Sequence, residues 1–253
     1  ATAALADLAM KSKRIDVREC AIAALATVRV AAARSWLSDL TTDKDPQIRR
    51  AAVDALAARP DDPEARSIVL GIAQGTDEET KMAAVLALGT AHAREATPLL
   101  LAAMDTADLS MQRQILSALG SSGDPAAVDA LAKIASEGAT SMRGEALSAL
   151  GRIGGDHAVS VLATALSDAR GNDVRIAASA LAEIADPAAR KALLAAAESD
   201  RRDVASAALD ALADVDGEDV HALMRKNLEG SSPEVHAAAA RYFRVHPDAT
   251  AIA

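Results

Sequence analysis

The histidines, the single cysteine and the glycine-rich segments are the parts of this sequence that could carry chemistry. The five histidines are His92, His157, His221, His236 and His246. No two of them are spaced i, i+4, and no His-Glu-x-x-His motif occurs, so the pattern of a helical zinc site is missing. The segments 120–123 and 151–155 have neither the strand context of a nucleophile elbow nor the spacing of a phosphate-binding loop. We therefore predict no catalytic residue, no metal ion and no cofactor.

Composition and charge narrow the classes of function. The chain has 253 residues, of which 51% are hydrophobic but only 1% aromatic, and its formal net charge is −9. This acidic balance disfavours non-specific binding to nucleic acid or to an anionic membrane. No apolar run approaches the length of about 18 residues that a membrane-spanning helix needs. We expect no nucleic-acid partner and no membrane insertion, and we take the cytoplasm as the default location.

A residue that recurs every 31 or 32 positions orders the whole chain. We call this residue the anchor, and its positions are Leu25, Leu56, Leu88, Leu119, Leu150, Leu181, Leu212 and Phe243. Alanine recurs four residues and one residue before the anchor, which places one apolar face on a first helix. A second apolar position follows twelve residues after the anchor and predicts a second helix. These positions are Leu37, Ile68, Leu100, Leu131, Leu162, Leu193 and Met224.

Turn residues separate the two helices of each unit. Asp45-Pro46, Asp124-Pro125, Asp186-Pro187 and Ser232-Pro233 each predict an N-cap followed by proline at the first helical position. Glycines directly follow three of the anchors, where we expect a left-handed residue to end the helix. These glycines are Gly89, Gly120 and Gly151.

The repeat predicts the fold class: an all-α protein, an α-solenoid of about eight two-helix repeats with a 31-residue period. We expect one solenoid over residues 1–253 without a second domain. The repeats start near residues 16, 46, 78, 109, 140, 172, 202 and 233. The chain opens inside a second helix and stops where another would begin, so we expect truncation at both ends. Alanine and branched aliphatic residues must fill the core, since aromatic residues are so few.

The segment Asp16-Val17-Arg18 through Ala26 carries a recognisable pattern, Asp-Val-Arg-x-x-Ala-x-x-Ala-Leu-Ala, which returns at 47–49 and more weakly at 141–143. It resembles the short HEAT repeats of the phycobilisome-lyase type. The resemblance implies a superhelix whose second helices line a concave inner face. It leaves function open, because similar proteins include lyases, hydroxylases, glycosylases and adaptors.

A basic residue stands seven positions before many of the anchors. The eight positions are Arg18, Arg49, Lys81, Gln112, Arg143, Val174, Ala205 and His236. They could form an anion-binding ladder, or they could pair with acidic residues of adjacent repeats. The candidate acidic partners are Asp16, Asp45, Asp77 and Asp108. Three of the eight positions carry no basic residue, so we favour the structural interpretation.

The resemblance also allows enzyme classes to be tested. HEAT-like di-iron hydroxylases carry His-Glu just after the ladder position, and here only Glu145 matches, without its histidine. HEAT-like DNA glycosylases require a basic groove with aromatic residues, whereas this chain is acidic and has a single tryptophan. Cys20 stands where other repeats carry Ala51 or Ala83, so we expect it to be small and buried rather than reactive.

The surface of the second helices remains as the candidate site. Ten and fourteen residues after the anchor, side chains point away from the core. The last repeat also departs from the pattern, with an aromatic pair that forms either a cap or a docking site. The candidate partner-binding residues are Arg66, Asp129, Lys133, Lys191, Lys226, Arg241, Tyr242 and Phe243.

These features predict a non-enzymatic scaffold or adaptor that binds another protein through its concave face or its C-terminal edge. The chain could belong to a larger assembly or to a longer protein. One alternative is a lyase-type enzyme subunit that acts on a chromophore-bearing protein. A second alternative is a HEAT-like protein for DNA binding or repair.

Overall fold

The structure, a computed structural model, describes residues 2–59, 61–168, 171–228 and 233–247. The secondary structure within these ranges is helical throughout and comprises sixteen α-helices and two short 3-10 helices. The chain divides into two compact units, residues 1–122 and residues 123–253. We describe each unit by itself. The prediction that residues 1–253 form one solenoid stays a prediction.

Unit 1 contains four first helices, each followed or preceded by a second helix. The first helices α2, α4, α6 and α8 pack side by side in chain order, and α3, α5 and α7 pack against them. A 3-10 helix at Arg94–Ala96 leads into α7. The bounds are α1 Thr2–Lys11, α2 Ile15–Thr27, α3 Ala31–Leu40, α4 Pro46–Ala57, α5 Pro63–Ala73, α6 Glu78–Thr90, α7 Thr97–Met104 and α8 Leu109–Ser122.

Unit 2 repeats the arrangement. The first helices α10, α12, α14 and α16 pack in chain order, and the second helices α9, α11, α13 and α15 lie against them. A 3-10 helix at Pro125–Ala127 leads into α9. The bounds are α9 Val128–Glu137, α10 Thr140–Ile153, α11 Gly155–Asp168, α12 Asn172–Glu183, α13 Pro187–Ala197, α14 Arg202–Leu212, α15 Glu218–Leu228 and α16 Pro233–Val245.

The anchor leucines form the core of each unit, and none of the seven is more than 1% exposed. The predicted fold class, an all-α solenoid of two-helix repeats, is confirmed. One second-helix position was wrong: Val69 is buried, whereas its neighbour Ile68 is half-buried. The repeat between Leu56 and Leu88 has 32 residues, and its extra residue lies before the second helix, which shifts the buried position by one.

Aspartate caps begin several helices as the sequence predicted. The carboxylate of Asp45 accepts from the N–H of Gln47 at 2.9 Å, and Asp124 and Asp186 accept in the same way two residues on. Proline follows each of these caps at the start of the helix. Ser232, the fourth predicted cap, lies outside the described residues. Each cap satisfies one backbone donor that the helix itself leaves unpaired.

The glycines that follow the anchors play a different role from the predicted one. Gly89, Gly120 and Gly151 lie inside α6, α8 and α10, and none adopts a positive φ. A Cβ added to Gly89 would lie 2.8 Å from the Cβ of Ala118, and one added to Gly151 would lie 2.8 Å from the Cβ of Ala180. The left-handed interpretation was therefore wrong. At Gly89 and Gly151 the absence of a side chain allows the next first helix to approach closely.

Replacing Gly151 with alanine is expected to destabilise the protein by about 1–3 kcal/mol, because the new methyl group overlaps a helix that cannot easily move. Gly71 in α5 is the matched control. An added Cβ there has nothing within 4 Å, so Gly71→Ala should stabilise by up to about 1 kcal/mol. Urea unfolding followed by circular dichroism measures both changes. A Gly151→Ala protein as stable as the wild type would contradict the close approach.

Candidate functional site

The arginines of the basic ladder are held by acidic groups at the end of their own repeat or in the next repeat. The guanidinium of Arg18 lies 2.5 Å from Asp43 and also donates to the carbonyl of Ala9 at 2.6 Å. The hydrogen bond from Arg18 holds the pKa of Asp43 below its usual range. Arg143 contacts Asp173 in the same way at 2.7 Å. The structural interpretation of these arginines is confirmed, and their positive charges are already neutralised.

Three of the four candidate partners of the ladder arginines were wrong. Asp77 does lie 3.7 Å from Arg49, which also binds Glu79. Asp16 instead pairs with Arg14, two residues away. Asp45 and Asp108 are engaged by backbone N–H groups at the starts of their own helices. These local contacts can form before the repeats pack, so the carboxylates of Asp16, Asp45 and Asp108 make them instead of pairing with the ladder arginines.

Most of the predicted partner-binding residues on the second helices bridge adjacent repeats. Arg66 of α5 lies 3.7 Å from Glu95, and Lys226 of α15 lies 3.7 Å from Glu198. Asp129 of α9 lies 3.4 Å from the Nε2 of His157. Lys133 and Lys191 are exposed on α9 and α13. The residues are spread over several repeats, so they do not converge on one site.

The aromatic pair of the last repeat belongs mainly to its packing. Tyr242 is only 1% exposed, and its ring stacks on His246 at a centroid distance of 4.4 Å. Phe243 is half-buried and meets His221 edge to face at 5.1 Å. Arg241 contacts the carboxylate of Asp210 on α14 at 2.7 Å. These contacts favour a cap over a docking site, because Tyr242 offers almost no surface.

The structure brings together no catalytic or metal-binding cluster in the residues that it describes. Within these ranges, no group of three or more His, Cys, Asp or Glu side chains could hold a metal ion. Cys20 is exposed, so the expectation of a buried thiol was wrong. It lies next to the core stripe of α2 rather than on it. Among the described helices, none combines the length and the apolar character that crossing a membrane requires.

A groove between the second helices α9 and α11 of unit 2 is the clearest candidate for a binding site. Its volume is about 550 Å³. Ala132, Ala135 and Ser136 of α9 form one wall, and the floor includes Arg143, Leu147 and Asp173 from the helices beneath. The other wall is one face of α11, formed by His157, Ser160, Val161, Thr164, Ala165 and Asp168.

The groove lies where the repeat carries a small side chain. Sixteen residues after the anchor Leu119 stands Ala135, whereas three other repeats carry a larger apolar residue there, and Ala197 of α13 is also small. The larger residues are Met104, Leu166 and Leu228. Neighbouring Ala132 and Ala165 are also small, so the space is not filled from either wall. The sequence contained this signal, but only a comparison of one repeat with the others could reveal it.

The polar groups of the groove are mostly engaged. Both Nε and Nη2 of Arg143 lie 2.7 Å from Asp173, and Nη1 donates to the carbonyl of Gly138 at 3.3 Å. The hydroxyls of Ser136 and Thr164 donate to carbonyls of their own helices. Asp168 has neither a hydrogen bond nor an ion pair with the part of the chain that the structure describes. Besides the hydroxyl of Ser160, the groove therefore presents a largely apolar surface with the carboxylate of Asp168, which is unpaired within the described residues.

This arrangement suits binding rather than covalent chemistry. A nucleophilic hydroxyl needs an adjacent general base, and the hydroxyls of Ser136 and Thr164 face backbone carbonyls instead. His157, the one imidazole of the lining, contacts the exposed carboxylate of Asp129. Apolar concave surfaces with a few placed polar groups are typical of ligand and partner sites.

Comparison with protein families identifies the class of this chain. The family described as HEAT repeats matches residues 2–89, 69–142 and 97–182. The chain belongs to the HEAT-repeat proteins. The resemblance carried by Asp16-Val17-Arg18 is thereby confirmed. No curated protein matches the sequence.

Solved structures resemble this HEAT-repeat chain in fold. Human deoxyhypusine hydroxylase in complex with glycerol is 18% identical over 97% of this chain and 95% of that chain, with a TM-score of 0.42. An engineered protein is 21% identical, with coverages of 96% and 77% and a TM-score of 0.49. The complex of CpcE and CpcF of phycocyanin lyase from Nostoc sp. PCC7120 is 18% identical, with coverages of 97% and 94% and a TM-score of 0.51. At such identities the likeness concerns the fold alone.

The ionisation of Tyr242 tests the buried cap. Burial raises the pKa of this phenol, and the carboxylates of Asp216 and Asp219 raise it further. Tyr242 is the only tyrosine, so phenolate absorbance during a pH titration reports this group alone. We expect a midpoint above about 10 in the folded protein and a return to about 10 in urea.

The sign of the accompanying stability change follows from that shift. Because the folded pKa is the higher one, the contribution of Tyr242 is complete below the unfolded pKa and is lost as the pH rises through the folded value. Asp216→Asn should lower the midpoint in the folded state without changing the value in urea. A wild-type midpoint at or below that of the unfolded chain would show that Tyr242 is exposed.

Proposed function

We propose that this HEAT-repeat chain is a non-enzymatic scaffold that binds another protein, with the groove between α9 and α11 as its principal contact. The observation that carries the proposal is the small side chain of Ala135, which leaves a largely apolar groove with a volume of about 550 Å³. Apolar residues that a partner can cover supply most of the free energy of association. The exposed Lys133 and Asp129 on the same helix would form a polar rim.

Other features support a protein partner over the alternatives. The complex of CpcE and CpcF of phycocyanin lyase contains two chains, which illustrates that a similar fold assembles with another protein. A lyase-type role for this chain would need a chromophore-bearing substrate, and no residue of the groove favours one. A DNA-binding role conflicts with the formal charge of −9 and with ladder arginines that are neutralised within the protein.

Filling the groove is the direct test of the scaffold. Ala135→Leu introduces the side chain that two other repeats carry at this position, as Leu166 and Leu228, so it should close the groove with little cost to folding. Ala197→Leu is the matched control, because it changes the same repeat position in α13, outside the groove. Affinity capture with quantitative mass spectrometry is expected to recover a specific partner with the wild type and with Ala197→Leu.

The Ala135→Leu protein should lose at least nine-tenths of that partner, which corresponds to about 1.4 kcal/mol of binding free energy. Circular dichroism and thermal unfolding check that all three proteins are folded. If the Ala135→Leu protein retains the partner, the partner binds a surface other than the groove. The absence of any specific partner of the wild type would reject the scaffold hypothesis.

A further inference from the structure

The groove between α9 and α11 has a length, a hydrogen-bonding character and a charge distribution that together specify its occupant. We propose that it binds a basic amphipathic α-helix of about three turns. The inference rests on the proposed scaffold function and names the kind of partner segment. Its three supports are independent properties of the same groove.

The length of the groove matches a short helix. The lining residues of α11 run from His157 to Asp168, and twelve residues of helix span about 18 Å, or a little over three turns. Apolar side chains at positions i, i+4 and i+7 of an occupant lie along one face over about 10 Å of that length. Such a stripe could cover Ala132, Val161 and Ala165, which form the apolar part of the walls.

The backbone hydrogen bonds of the groove walls favour a helical occupant over an extended peptide. The walls are the sides of helices, whose backbone N–H and C=O groups are already paired within each helix. The hydroxyls of Ser136 and Thr164 also bond to their own helices. An extended strand would find no backbone ladder here, whereas a helix satisfies its own backbone groups. A helical occupant therefore loses fewer hydrogen bonds when it leaves water.

The charge of one end of the groove favours a cation. Asp129 and His157, near the starts of α9 and α11, contact each other. Both helices also line the groove up to residues near their carboxyl ends, Ser136 and Asp168, so the two helices run in the same direction. Their carboxyl ends consequently meet at the opposite end of the groove, where the helix dipoles favour positive charge.

Asp168, which has no ion pair within the described residues, lines the groove at this end, and the exposed Glu137 ends α9. Arg143 adds no net charge there, because Asp173 neutralises it. Arg201, which donates to the carbonyl of Ser167, is paired with Asp203.

Three helical peptides that differ only in charge test the inference. Each is stapled as a helix of about three turns, carries leucine at i, i+4 and i+7, and bears a fluorescent label. Their polar faces carry lysine, glutamine or glutamate. A fourth peptide has the composition of the lysine peptide with its leucines scattered around the helix. Fluorescence anisotropy with the intact chain measures each affinity at low and at higher salt.

We expect the lysine peptide to bind at least ten-fold more tightly than the glutamate peptide, with a difference that narrows as salt is added. The scrambled peptide should bind at least ten-fold more weakly than its parent, because its leucines cannot face the groove together. Asp168→Lys should weaken the lysine peptide roughly five-fold and leave the glutamine peptide unchanged. Asp105→Lys, at the equivalent end of α7, is the matched control and should change neither.

The possible failures are distinguishable. Equal or tighter binding of the glutamate peptide would overturn the basic occupant and leave the groove as a peptide site. Equal binding of the scrambled peptide would show attraction by charge alone and overturn the helical face. If none of the four peptides binds, or if Ala135→Leu binds them as well as the wild type does, the groove itself is not the contact surface and the proposed scaffold site fails with it.

Discussion

The close approach of consecutive first helices is the constraint on which each unit of this protein depends. Gly89 faces Ala118 and Gly151 faces Ala180 at distances that leave no room for an added Cβ. Since the helices are so near, leucine is large enough to fill the space between them, and the anchor leucines are fully enclosed. A core with almost no aromatic residues follows from this spacing. A bulkier set of anchors would require wider gaps and would lose the small-residue contacts.

The second constraint is electrostatic and acts between the loops of successive repeats. Arg18 reaches from its first helix to Asp43 at the end of its own repeat, and Arg143 reaches to Asp173 of the next repeat. Arg59 is a buried arginine that likewise contacts both a carboxylate and a carbonyl. Its side chain is 1% exposed, contacts Asp62 and donates to the carbonyl of Val28 at 2.8 Å. These arginines satisfy carbonyls and carboxylates that packing removes from water. The charges of these three arginines are neutralised within the protein, so they are not available to a phosphate-bearing ligand.

The sequence predicted those parts of the fold that each repeat specifies by itself. The anchor leucines and the cap at Asp45 depend on helix periodicity and on local hydrogen bonds, and both are confirmed. The role of Gly151 and the register at Ile68 depend on how a neighbouring helix packs, so local patterns gave the wrong answer. The groove could not be predicted from residue types, because it results from a side chain that Ala135 does not supply.

Recognition in a repeat protein must come from the positions where the repeat is irregular. A regular repeat pairs many of its own charges: Lys226 of α15 contacts Glu198 at the end of α13, and Arg66 of α5 contacts Glu95 just before α7. The groove between α9 and α11 departs from this pattern in two ways. Ala135 stands where other repeats carry a larger apolar side chain, and the carboxylate of Asp168 has no partner in the described chain. Both features lie in one groove, where an occupant could cover apolar surface and pair with the exposed carboxylate of Asp168. Their coincidence in space is therefore the strongest physical argument that this groove is a site of recognition.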